Sequence, residues 1–384
     1  MRLLFMMTAL VLACLPQTAQ ATEDTQLFEY LFIDSQERAK WAMLTDGGLV
    51  VAGTQMIYFF NEKRSAEICR DCSKPYGSSS ASRVPVGGYP LSVIQRPDGK
   101  FMMAGVGYDD KPGLLSKDSR KGYVALVETL RGYNKDVETF EYGRVARKVI
   151  AADGNQSLVL FEEGRDGNMI ALMDSQNFVR KKVSFGAGTR ADMVRHANGD
   201  ISVLGFENAA NHWQEPVYWR FSADLKELEK RPLNLPSKKS NSGDAMVKIA
   251  VAGDAVYILY GIPEGVKDKR PDGMVFQSLQ EDGFRQAMPY VYDAALVVTP
   301  KGLPMVATVV EGRPKTITYD TGIEEASTSY FAAPEKPAVC FMQKERIRFV
   351  DLLFDAKGAG YFVMGSKPLD HDAAGCIAVA RAKF

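Results

Sequence analysis

Apolar residues in this chain fall into short runs separated by tight polar turns, with no sustained helical period. Residues 40–54, "KWAMLTDGGLVVAGT", show the figure: an apolar run, Thr-Asp-Gly-Gly, and a second apolar run closed by glycine. Runs of this length joined by a Gly-containing turn predict a β-hairpin. The figure returns six times. "PLSVIQRPDGKFMMAGVG" starts at Pro90, "ARKVIAADGNQSLVLFEEG" at Ala146 and "ADMVRHANGDISVLGFEN" at Ala191. "DAMVKIAVAGDAVYILYGI" starts at Asp244, "DAALVVTPKGLPMVATVVEG" at Asp293 and "RFVDLLFDAKGAGYFVMGS" at Arg348. The turn glycines are Gly47, Gly99, Gly154, Gly199, Gly253, Gly302 and Gly358, roughly fifty residues apart. Asp-Gly and Asn-Gly supply the positive φ of tight hairpin turns. Asp46, Asp98 and Asp153 are therefore read as hairpin residues and not as ligands.

Two more strand-like runs follow most hairpins, as in "GYVALVETL" from Gly122 and "VETFEYG" from Val137. Four antiparallel strands per repeat, seven times, predict an all-β fold, a seven-bladed β-propeller. The last unit ends in "CIAVARAKF" with no fourth strand, while "QLFEYLFID" at residues 26–34 resembles an outer strand. That segment is expected to complete the last blade and remove its open edge; the alternative is an unrelated leader strand. The pattern DG-x-x-x-x-AG resembles the repeats of several bacterial propeller families. The resemblance spans the chain after residue 21 and is to an architecture, with no specific family. WD, kelch-type, YWTD and quinoprotein-type Trp repeats do not recur. Propellers carry binding modules, lyases, hydrolases and oxidoreductases, so the fold does not select a function.

The chain has 384 residues, 47 basic and 47 acidic, and 46% hydrophobic residues. Zero net charge argues against nucleic acid as a partner. Arg2, an apolar run over residues 3–15, Pro16 and Ala19-Gln20-Ala21 have the form of a signal peptide. The expected organisation is a signal peptide at 1–21 and one propeller domain at 22–384, periplasmic or secreted, with no membrane span, as a monomer. The alternative is a lipid anchor on Cys14, because Val11-Leu12-Ala13-Cys14 loosely resembles a lipobox. Removal of the signal leaves Cys69, Cys72, Cys340 and Cys376. An even number in an exported chain suggests disulfides, here Cys69–Cys72 and Cys340–Cys376. Cys69-Arg70-Asp71-Cys72 lacks a following His for haem attachment and lies in a polar loop; a local bridge is expected over a redox motif.

The repeat also locates a site. The hairpin turns lie at one end of the channel, and the loops leading into each first strand lie at the other, with the loops joining second to third strands. Counting back nine and seven residues from the turn glycines places Arg38, Lys40, Arg147, Arg190, Asp192, Asp244, Asp293 and Asp351 at that other mouth. Converging charges can hold a polar ligand or shift one another's pKa values; alternatively they form a ring of salt bridges that plugs the mouth. Long second-to-third-strand loops at about residues 108–121, 207–215, 262–272 and 366–375 add His212, Trp213 and His371 to the same face. No cofactor or resident metal is expected; a carboxylate site from Asp192, Asp244, Asp293 and Asp351 is the metal-dependent alternative. No nucleophile motif, P-loop or dinucleotide fingerprint occurs. The first expectation is a binding protein, such as an inhibitor, an immunity-type protein or an envelope scaffold, taking a protein or polar ligand on the loop-rich face. The alternative is a hydrolase or lyase working through carboxylates at the channel mouth.

Overall fold

A computed structural model describes residues 29–35, 41–45, 48–52, 56–60, 81–83, 88–107, 122–128, 130, 139–141, 145–162, 167–186, 190–208, 214–233, 246–261, 273–288, 291, 293–310, 313–318, 327–330, 347–366 and 375–383. Among these residues every regular element is a β-strand, and the strands form seven four-stranded antiparallel sheets. Six sheets take their strands in chain order, starting at Trp41–Thr45, Gly88–Gln95, Val145–Ala151, Ala191–Arg195, Met246–Ala252 and Ala294–Val298. The seventh starts at Ile347–Phe354 and continues through Ala359–Ser366 and Gly375–Lys383; its fourth strand is Glu29–Ser35. The N-terminal strand thus completes the last blade, paired antiparallel from Glu29 with Arg381 to Ser35 with Gly375.

The first strand of each sheet lies against the first strand of the next, and the seventh returns to the first. The sheets are therefore the blades of a closed propeller, numbered 1 to 7 in the order above, with their first strands around the axis. The core sits between blades. Leu204, Phe206 and Tyr218 of blade 4 pack on Ile249, Ile258, Tyr260 and Val275 of blade 5. Trp219 of blade 4 meets Phe185 of blade 3 edge-on, with ring centroids 5.1 Å apart. Each sheet is apolar on both faces because both are covered by neighbours, so inner strands read as continuous apolar runs. The outer strands are polar, as in Val179–Phe185 and Glu227–Pro232.

The hairpin turns are not uniform in length. In blades 2, 4, 6 and 7 two backbone bonds close a longer loop, for example His196 N–H to Asp200 O at 2.8 Å and Gly199 N–H to His196 O at 3.0 Å. The glycine carries the positive φ, +91° at Gly199 and +82° at Gly302, while Asp98, Asn198, Lys301 and Lys357 before it do not. This is a type I turn followed by a left-handed glycine, which explains why lysine is accepted at that position twice. Blade 5 turns through Gly253-Asp254 between paired Ala252 and Ala255. In blade 1 Thr45 pairs with Gly48; Asp46 and Gly47 lie outside the described residues.

Candidate functional site

Because the hairpins differ, glycine spacing is an uneven ruler; the strand register is a true one. Counting back four residues from the residue that closes each hairpin reaches Trp41, Ser92, Lys148, Asp192, Lys248, Ala295 and Asp351. These pair with Ala52, Ala104, Leu160, Leu204, Leu259, Ala307 and Val363, each four residues past the other side of its hairpin. One residue from every blade therefore stands at one level of the channel. All seven line a single cavity of about 430 Å³. They lie away from the hairpin turns, towards the end where the second strands finish and the third strands begin. The volume falls in the range of small-molecule sites.

Of the residues picked from sequence, Arg147, Arg190, Asp192, Asp293 and Asp351 line this cavity. Arg38, Lys40, Asp244, His212, Trp213 and His371 lie outside the described residues. The thiols of Cys69, Cys72, Cys340 and Cys376, with both expected bridges, also lie outside what is described, as do residues 1–21. Glycine counting missed Lys148 and Lys248. It put Arg147 and Met246 at this level because the glycine is the second residue of the blade 3 loop and the first of the blade 5 turn. The overlooked signal was Lys248 itself, one cation inside the apolar strand "MVKIAVA".

The charges are not equivalent. Lys148 Nζ donates to Asp192 Oδ1 at 2.5 Å. Asp192 Oδ1 also accepts the Met193 N–H at 2.9 Å, and Oδ2 accepts the Ile249 N–H of blade 5 at 3.1 Å. Asp192 thus ties blades 3, 4 and 5 together, and both its oxygens are committed. Ser92 Oγ makes the corresponding link from blade 2 to the Val149 N–H of blade 3, at 3.1 Å. Arg147 is turned onto Glu162 of its own blade, Nε to Oε2 at 2.9 Å. A bulge between Ala146 and Lys148 presents Arg147 and Lys148 side by side to the cavity.

Lys248 and Asp351 stand apart from this network. Among the described residues neither makes an ion pair, and Ala295 of blade 6 occupies the ring position between them. Asp351 Oδ1 accepts the Leu352 N–H at 2.9 Å. Burial pushes the Asp351 carboxyl up to about 6; the Lys248 ammonium, the Leu352 N–H and Lys148 pull it down, and Asp192 adds to the rise. It is a carboxyl whose charge changes near neutral pH. Among the described residues no three of His, Cys, Asp and Glu come together as a metal cluster. Asp192 is held by an ammonium and an amide on Oδ1 and by one amide on Oδ2.

No family model matches this sequence, and comparison with curated proteins finds no significant relative. Solved structures resemble it at the level of fold. A BBS1 domain in complex with ARL6 aligns with a TM-score of 0.53 at 10% identity, over 93% of this chain and 97% of the other. The polysaccharide lyase Uly1 aligns with a TM-score of 0.53 at 10% identity, over 90% and 89%. The β-propeller domain of the trilobed protease from Pyrococcus furiosus aligns with a TM-score of 0.43 at 12% identity, over 87% and 91%.

Proposed function

We propose that the protein is an exported binding propeller that holds a polar ligand in the cavity at the loop-bearing mouth of its channel. One observation carries this reading: a single level of the channel, built from all seven blades, opens into about 430 Å³ and carries a cation and a carboxyl with no ion-pair partner among the described residues. Charges kept only for stability would pair, as Lys148 does with Asp192, since an unpaired charge removed from water is costly. Strands of all seven blades hold the charges in place.

The test is native mass spectrometry of the protein isolated from the periplasm of an expressing bacterium, with small molecules then identified after denaturation. The expected result is a mature chain starting at Thr22 and carrying a stoichiometric polar adduct that Ala295→Leu removes. A mature wild-type protein without adduct, and without a thermal shift in any member of a polar metabolite library, defeats the reading.

The raised carboxyl of Asp351 favours a second reading, a hydrolase or lyase in which Asp351 passes a proton to a bound substrate. On that reading Asp351→Asn abolishes turnover of the identified ligand while leaving its binding measurable. A ligand recovered chemically unchanged after prolonged incubation with the wild type removes it.

A further inference from the structure

Ring acceptors serve the inward amides of blades 3, 4, 5 and 7; among the described residues none serves Ala42 of blade 1, Val93 of blade 2 or Leu296 of blade 6, and of these three only Leu296 follows a ring cation. The ring residue of one blade takes the amide of the residue just after the ring position on the next blade: Ser92 takes Val149, and Asp192 takes Ile249. Where the preceding blade offers no acceptor, the blade's own aspartate does the work. Asp192 takes Met193 after Lys148, and Asp351 takes Leu352 after Ala295. The corresponding amide on blade 6 is that of Leu296. The residue before it in the ring is Lys248, whose side chain only donates, and its own ring residue is Ala295, whose side chain has no polar atom. By the same register the Leu296 N–H faces the channel on the blade next to Lys248, and both residues line the cavity. Asp351 stands on the far side of the methyl group of Ala295. A double donor, a gap left by a small side chain, and a carboxylate follow one another across blades 5, 6 and 7.

We propose that this cavity takes a small zwitterion of the α-amino acid class, its carboxylate on Lys248 and the Leu296 N–H, its ammonium on Asp351, and its backbone over Ala295. The inference rests on the polar-ligand reading above and adds the ligand class. Charge-assisted bonds at both ends of a short molecule discriminate strongly, because an analogue lacking either group leaves a protein charge unpaired. The ammonium needs an ionised Asp351, so binding weakens on acidification. Asp192 and Lys148, the other charges acting on Asp351, remain paired with each other.

The test is isothermal titration of the mature protein, freed of any co-purified ligand by reversible denaturation, with the twenty free L-amino acids. Each binder is compared with its decarboxylated amine and its deaminated acid. The expected result is at least one amino acid bound at pH 7.5, with both analogues at least tenfold weaker and affinity falling by a similar factor at pH 5. Lys248→Met should weaken the amino acid tenfold or more and leave the amine unchanged. Asp351→Asn should weaken it and leave the acid unchanged. Circular dichroism confirms that each variant is folded. A deaminated acid binding as tightly as its parent overturns the zwitterion while the polar-ligand reading stands, and so does a co-purified adduct with no amino group. No binding by any amino acid, with an adduct still found by mass spectrometry, also overturns the ligand class alone.

Discussion

Replacing Asp351 with asparagine is expected to stabilise the fold at pH 7.5, on the order of 1–2 kcal/mol. The folded carboxyl titrates near 6, above its value in the unfolded chain. The protein therefore favours its protonated form, and this group's contribution to stability declines as pH rises from about 4 to about 6. The residue is only partly buried in the cavity wall, which trims the full conversion of that shift. Denaturant melts of Asp351→Asn and wild type should converge near pH 4 and separate by pH 7; equal stability at both would show that the carboxylate carries no cost. His196 gives the opposite sign. Its imidazole meets Ser202 Oγ at 2.7 Å, and Ser202 Oγ meets the Tyr218 hydroxyl at 2.8 Å, all buried in blade 4. Burial, helped by the Arg220 guanidinium, holds the imidazole below its ordinary value against the pull of Asp200 and Asp254. The unfolded chain takes up that proton first, so stability is full above pH 6.5 and falls as pH drops from there towards the folded value. His196→Gln should flatten this loss relative to wild type between pH 7 and 5; a wild-type difference that persists unchanged in the variant defeats the assignment. At this scale the sequence was only half legible. Arg147, Asp192 and Asp351 could be picked by spacing, but no spacing shows that Asp192 is committed on both oxygens while Asp351 is not. That difference depends on what neighbouring blades place against each carboxylate.

The hairpins show what pattern resolves at the level of elements. Apolar runs and turn glycines locate the inner and second strands, because both faces of each blade are buried and every hairpin needs a residue with positive φ. The loop lengths were hidden: a glycine after Asp, Asn, Lys or Ala looks alike in sequence, whether it stands first, second or third in the turn. A shift of one or two residues moved the ring position from Lys148 to Arg147 and from Lys248 to Met246. Gly302 offers a direct test. A Cβ there meets nothing within 4 Å, but φ is +82°, so Gly302→Ala should cost about 1–2 kcal/mol through backbone strain alone. Gly302→Asn should cost less, since asparagine tolerates this region. Equal costs in chemical denaturation would place the penalty elsewhere. The links between blades also have an expected magnitude. Asp192→Ala strands the Lys148 ammonium and the amides of Met193 and Ile249, and should cost about 2–4 kcal/mol.

At the scale of the molecule, the ring closes because strands from both ends of the described chain share blade 7. The repeat made this readable: a missing fourth strand at one end and a surplus strand at the other. A circular permutant that joins residue 384 to residue 22 by a short Gly-Ser linker, and opens between blades 3 and 4 after residue 186, should fold to the same ring. Its melting temperature should lie within a few degrees of wild type. Deletion of residues 22–35 should instead bare the edge of Gly375–Lys383 and produce self-association in size-exclusion chromatography. A monomeric deletion variant of unchanged stability would show that the shared blade is dispensable.

The shared blade also sets a rule for the life of each copy. Glu29–Ser35 leaves the ribosome about 340 residues before the strand it must pair with. Long-range pairing of this kind is slow and leaves intermediates exposed. A chain broken off anywhere before residue 375 lacks the partner strand, and its first and last blades cannot be sealed together. Closure thus depends on Gly375–Lys383 being present: without it Glu29–Ser35 has no strand to pair with and blade 7 keeps an open edge.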